Sequence, residues 1–177
     1  MQKLLAISDA ADALCRMVAR LSGYLLLVLT AVILYDVIGR KFFATGSFKL
    51  QELEWHLHGA IAMLGFGYAY TRNAHVRIDI FAGLMSARFK LWLEIAGVVL
   101  FLIPFMGLVA WFGYEFAERA FARGETSVGG LGLSHRWIIK SVIPVSAVLT
   151  IVGGVSVALR CFVTLRRPDL CANPIGS

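Results

Sequence analysis

The sequence predicts an all-α integral membrane protein with four transmembrane helices and an N-terminal amphipathic interfacial helix. Three observations carry this. The 177 residues are 59% hydrophobic and 16% charged, against roughly 25% charged in soluble domains. The mean hydropathy is +0.76. The charges are also segregated: residues 55–71, 95–114 and 141–159 contain no Asp, Glu, Lys or Arg, and between Arg20 and Arg40 only Asp36 is charged. A helix needs about 20 mostly apolar residues to cross the hydrocarbon core. The expected spans are therefore residues 21–39, 54–71, 91–114 and 138–160, in one membrane domain covering 1–177. The second is short, and Glu54 and Arg72 extend it by snorkelling.

Residues 3–20 place Leu4, Ile7, Ala11, Leu14 and Val18 at helical spacing, with Asp9, Asp12, Arg16 and Arg20 on the other side. This predicts a helix lying on the inner membrane surface before the chain turns inward. The first span ends in Asp36 and Arg40, four residues apart and so able to pair on one face. A short loop with Gly46 and Ser47 follows. The second span, with the turn after it, is the stretch around which the other segments are expected to pack. Its spacing lines up Glu54, His58, Ala62, Gly65, Ala69 and Arg72, with Gly65 and Ala69 as a small-residue pair. Small residues let helix backbones approach closely in lipid, so this face is read as a packing or subunit-interface stripe.

Asn73 fits a turn, and His75, Arg77 and Asp79 then alternate with apolar residues. Asp79 is a candidate cap for an interfacial helix over 80–90. The third span carries Pro104, which should distort it. Residues 115–124 can prolong this helix before a glycine-containing loop. The fourth span has Pro144 near its start and Gly154 and Ala158 as a second close-packing pair.

Lys and Arg number 10 in the flanks on the side of the N-terminus, middle loop and tail, and 7 in the other two loops. The positive-inside rule then puts both termini in the cytoplasm. Cys15, Cys161 and Cys171 fall on that side and read as free thiols. No short apolar core with a cleavage site marks a signal peptide, so the first span is expected to be retained.

The net charge of +6 does not indicate nucleic-acid binding, because the basic residues flank apolar spans. Glu52 with His56, and Glu54 with His58, have metal-ligand spacing, but residues 56 and 58 point about 200° apart on a helix, which argues against a metal site. A haem-binding membrane anchor of a respiratory complex is the alternative reading, because four-helix cytochromes use facing histidines. His58 is the best-placed ligand, yet the other three spans hold no histidine. No phosphate-binding loop, nucleophile elbow or buried acid–base pair is present. The repeated halves and broken helices of a self-sufficient transporter are also missing. An accessory scaffold without catalytic, cofactor or metal residues remains.

The segment EWHLHGAIAMLGFGYAYTRNAHVRIDIF, with Glu54, Gly65, Gly67, Arg72, His75 and Asp79, resembles the central motif of the small membrane subunit of TRAP (tripartite ATP-independent periplasmic) transporters, the DctQ family. DVIGR at 36–40, GETS at 124–127 and WIIKSVIP at 137–144 resemble other parts of that family, in order, over most of residues 20–160. Leu133, Ser134, His135 and Arg136 depart from it, since members often have a proline before the tryptophan. The resemblance implies a Q-type subunit that braces a large M-type membrane subunit. That subunit would move an organic acid or similar solute, delivered by a periplasmic binding protein, using an ion gradient, commonly Na⁺. It implies no substrate site in this chain. On this reading Arg72, His75, Arg77 and Asp79 anchor the inner rim through lipid headgroups and loop hydrogen bonds. Lys49, Glu52, Arg119, Arg123 and Glu125 form an outer rim available to the binding protein.

Overall fold

The computed structural model describes residues 1–43, 45–74, 85–127, 132–171 and 174. Among these the regular structure is entirely helical. In chain order it comprises α1 (Gln2–Phe43), α2 (Phe48–Thr71), α3 (Ala87–Gly97), a π segment (Val98–Leu102), α4 (Ile103–Ala122) and α5 (Trp137–Arg166). Three runs are long and apolar enough to cross a membrane: Gln2–Phe43, Ala87–Ala122 and Trp137–Arg166. At 24 residues α2 also has the length, but its first turns carry Lys49, Gln51, Glu52, Glu54, His56 and His58. It is the least apolar of the four expected spans.

The expected turn between a surface helix and the first span does not occur. The 42 residues of α1 run without a break, about 63 Å at 1.5 Å per residue. That is twice the hydrocarbon thickness of about 30 Å, so one helix holds both expected segments. The predicted faces are kept only in part: Asp9 and Arg20 are exposed as expected, but Asp12 is not. Ser8, Asp12 and Cys15 are buried, whereas Ile7 and Leu14 are exposed. In lipid the apolar side needs no shelter, and the polar side is the one that seeks protein partners.

The helix from Ala87 to Ala122 is continuous but irregular. Its N-cap is Ser86, whose hydroxyl accepts from the Phe89 N–H at 3.3 Å. Asp79, the candidate cap for a helix over 80–90, lies outside the described residues. The N–H of Ile103 bonds the carbonyl of Val98, closing a π turn directly before Pro104. A proline ring collides with the carbonyl four residues back in a regular α-helix, and the wider π turn relieves that collision.

Two helix ends share one closure. At Asn73 (φ 54°) the N–H reaches the Tyr70 carbonyl and the next N–H, of Ala74, reaches that of Ala69. At Gly124 (φ 56°) the corresponding bonds go to Phe121 and, from Glu125, to Ala120. Both are Schellman closures, with asparagine or glycine tolerating the left-handed residue.

The chain divides into two compact units: Met1–Met17, Phe66–Leu108 and Ala147–Ser177, and Val18–Gly65 with Val109–Ser146. In the first, Leu91, Val157 and Cys161 form a core flanked by Tyr70, Ile95 and Leu165. A Cβ on Gly154 would stand 2.9 Å from Leu102 and 3.5 Å from Val98. The expected close approach at Gly154 is thus made against the π segment. In the second, Gly113 of α4 lies under Ile143 and Pro144 of α5, at 3.0–3.3 Å from a Cβ built there.

The most enclosed helix is α5, not α2. The burial of the most apolar windows is 44% for α5, 17% for α1 and 6% for α3–α4. Between Lys140 and Arg160 α5 has no charge, and Ser146, Ala147, Thr150, Gly153, Gly154 and Ser156 all fall on one half of its circumference at ~100° per residue. Neighbouring helices can approach closely on that small, uncharged half, where the buried residues lie, and the bulkier Val148, Val152 and Val155 hold the other half.

Candidate functional site

The packed side of α2 carries Glu52, His56, Ala60, Met63, Gly67 and Tyr70. In the unit of residues 18–65 and 109–146, Ser146 Oγ donates to the Met63 carbonyl at 2.6 Å, and Ala60 is 9% exposed. In the other unit, a Cβ on Gly67 would stand 2.6 Å from the Leu149 carbonyl oxygen, and Tyr70 donates to Glu94 Oε1 at 2.8 Å. The predicted stripe is displaced by two residues, or about 200°. His58 and Ala62 are exposed, and Gly59 and Gly65 have no atom within 4 Å of a built Cβ. Gly65 therefore makes no close approach among the described residues. Glu54 Oε1 is buried with no hydrogen-bond partner among the described residues.

Asp36 and Arg40 pair as predicted, at 2.5 Å, with Asp36 only 4% exposed. Asp36 Oδ1 has no hydrogen-bond partner among the described residues.

On the loop after α4, Glu52 is a strut rather than part of an open rim. It is buried, and its Oε2 accepts from the Leu133 N–H at 2.7 Å. The Leu133 carbonyl accepts in turn from the Ser127 N–H at 3.2 Å. Gly132 passes so close that any Cβ would strike Glu52 and Ser127. The Leu133 N–H bond, with Ser127, His56 and Arg136 nearby, holds the Glu52 carboxyl below its ordinary range against the opposing effect of burial. Glu125 closes the other side of the loop. It takes a hydrogen bond from Lys140, whose ammonium lies 3.9 Å from the centre of the Phe116 ring, and Arg136 approaches at 3.9 Å. That Lys140 bond and the nearby positive charges also lower the Glu125 carboxyl. Lys49, Arg119 and Arg123 are exposed, and Arg119 pairs with Glu115 at 3.5 Å.

A second polar cluster lies in the unit of residues 1–17, 66–108 and 147–177. Ser8 and Ser156 exchange hydroxyl-to-carbonyl bonds at 3.0 and 2.9 Å. Arg160 Nε donates to Ser8 Oγ at 2.9 Å and its Nη2 to Asp9 at 3.0 Å. Asp12 collects Arg16 at 3.4 Å, Arg72 at 3.5 Å and Arg160 at 4.0 Å. Of the predicted inner-rim group, Arg72 belongs here, while His75, Arg77 and Asp79 lie outside the described residues. Ser8, Asp12, Ser156 and Arg160 were not expected to form a site. Asp12 looks water-facing in the sequence, and only the uncharged run 141–159 before Arg160 hints at a helix whose end collects polar partners.

The arrangement is one of struts, pairs and an open helix face on membrane-length helices. The sequence profile of the DctQ component of tripartite ATP-independent periplasmic transporters matches residues 29–164. The chain belongs to the DctQ family. A comparison with curated proteins found no match. The DctQ assignment makes the chain a component of a TRAP transporter and a membrane protein of several spans. The respiratory-anchor alternative gains no support from it.

Proposed function

We propose that this DctQ chain is the scaffold subunit of its transporter. It braces the large M-type membrane subunit while that subunit takes up an organic acid or similar solute, using an ion gradient. The solute is delivered by a periplasmic binding protein, and this chain performs no catalysis and carries no cofactor. It lies in the bacterial inner membrane as four spans, with α2 the second and both termini in the cytoplasm.

The observation that carries this reading is the open face of α2. His58 and Ala62 are exposed, a Cβ on Gly65 would meet no described atom within 4 Å, and the opposite side of the helix is packed. In lipid a small-residue face offers close backbone approach to another helix. The M-type subunit is the membrane partner that the DctQ assignment supplies. Glu54 belongs to the same end of α2, where a partner's donor can satisfy its bare oxygen after a small rotation. The loop held by Glu52 and Glu125 supports a second role. It is fixed at both sides and carries exposed Arg123 next to exposed Arg119, a preformed surface for the binding protein.

The test is co-purification of the two membrane subunits with Gly65→Leu. Loss of the large subunit from an otherwise folded variant supports the reading. Retention at the wild-type ratio removes the α2 face from the interface.

A further inference from the structure

We infer that Arg72 and Arg160 form a binding site for a phosphate-bearing anion, the phosphodiester headgroup of an anionic membrane lipid. A cleft of about 220 Å³ is lined by Thr71, Arg72, Ser156, Val157, Arg160 and Pro174. That is smaller than the roughly 300–1,000 Å³ typical of pockets for whole small molecules, and it suits a headgroup fragment.

Two arginines meet here because α2 and α5 each end an uncharged run on the same side. Arg72 is the first charged residue after 55–71, and Arg160 the first after 141–159. Both guanidiniums therefore stand at the depth where hydrocarbon gives way to headgroups. A soluble phosphate has no reason to favour that depth, whereas a lipid phosphate is confined to it.

The cluster is positively charged in excess. Arg16, Arg72 and Arg160 face Asp9 and Asp12, three cations to two anions. Asp12 divides its charge among all three arginines, and its contact with Arg72 is a long 3.5 Å. Asp9 is 68% exposed, so water screens its hold on Arg160. Each guanidinium has five N–H donors in a fork that matches phosphate oxygens. The hydrogen bonds to Asp12, Asp9 and Ser8 engage Arg72 through Nη2 and Arg160 through Nε and Nη2. Arg72 and Arg160 are 44% and 30% exposed, accessible but partly sheltered, a setting in which a charge-assisted bond outweighs one in open water. On α1, which supplies Asp9 and Asp12, the exposed side chains Ile7, Leu14 and Met17 give acyl chains an apolar surface.

The experiment uses the full chain in detergent, delipidated and then offered phosphatidylglycerol, phosphatidylcholine or inorganic phosphate, with bound species counted by native mass spectrometry. Wild type is expected to retain phosphatidylglycerol in preference to phosphatidylcholine. Arg72→Gln and Arg160→Gln should each weaken that retention about tenfold, the cost of one charge-assisted hydrogen bond. Arg166→Gln, which removes a positive charge from the same end of α5 outside the cleft, should not. Arg160 also ties α1 to α5, so if its variant unfolds, Arg72→Gln alone decides. Equal retention by wild type, Arg72→Gln and Arg166→Gln overturns the site. Inorganic phosphate displacing the lipid at millimolar concentration keeps the anion site but overturns its assignment to lipid.

Discussion

Gly67 and Gly153 meet backbone to backbone. A Cβ built on Gly153 would stand 2.5 Å from the Gly67 carbonyl oxygen, and one on Gly67 would stand 2.6 Å from the Leu149 carbonyl oxygen. Neither obstruction is a side chain that can swing away, so one helix must move. Gly67→Ala and Gly153→Ala are each expected to destabilise the protein by about 1–3 kcal/mol, as overpacking does. Gly65→Ala, with nothing within 4 Å of its Cβ, should leave stability unchanged. Thermal unfolding of the three variants in detergent checks this. Equal melting of Gly65→Ala and Gly67→Ala would move the crossing elsewhere.

The two residues also show how far the sequence could be read. Gly65 and Gly67 are both glycines in an uncharged run, on opposite sides of one helix. The pairing of Gly65 with Ala69 favoured one side, but the carbonyl that needs the space is Leu149, more than eighty residues away. Local patterns were legible where their cause was local. Asp36 meets Arg40 one turn on, Asn73 ends α2, and Pro104 disturbs its own helix. The continuity of α1 was not legible, because Asp12 looks water-facing until Arg72 and Arg160 are brought to it from α2 and α5. The enclosure of α5 follows the small residues on one half of its circumference, a wider arc than the pair Gly154 and Ala158 marks.

The strut at Glu52 makes the loop sensitive to pH. Its carboxyl is held low chiefly by the Leu133 N–H. A carboxylate with a lowered folded pKa contributes its stability in full above the unfolded value of about 4.3. The contribution is lost as pH falls through the folded value. Glu52→Gln keeps an oxygen acceptor but not the charge. The gap in melting temperature between wild type and Glu52→Gln should be widest at neutral pH and narrow as pH falls below the unfolded value of about 4.3. A gap that stays constant down to pH 3 would show that the charge is not what holds the loop.

The closures at Gly124 and Asn73 predict an asymmetry. Both residues are left-handed, at φ 56° and 54°. Gly124→Ala should cost about 1–2 kcal/mol, the penalty for an ordinary residue in that conformation. Asn73→Gly should be neutral or slightly stabilising, and Asn73→Val should be worse than Gly124→Ala, since a branched side chain resists positive φ most strongly. Melting temperatures of the three variants test the order. Asn73→Val matching wild type would mean that α2 ends in another way.

Among the described residues, Asp12 is the carboxylate that Arg16, Arg72 and Arg160 share, and its side chain is 8% exposed. Asp12→Asn preserves shape and removes the charge, leaving three guanidiniums with only exposed Asp9 to oppose them. Breaking a buried ion pair costs about 3–5 kcal/mol. The arginines are 41%, 44% and 30% exposed, so water relieves part of their repulsion. A loss of roughly 3 kcal/mol, at the low end of that range, is the expected outcome, read as a lower melting temperature and faster proteolysis within the first turns of α1. Adding Arg16→Met to Asp12→Asn removes one of the stranded cations. It should recover part of the loss, a coupling that two independent sites would not show. If Asp12→Asn melts with wild type, α1 is held to α5 by the Ser8–Ser156 bonds and by the bonds of Arg160 to Ser8 and Asp9, without Asp12. If the double variant falls by the sum of the two single losses, the arginines do not act through Asp12.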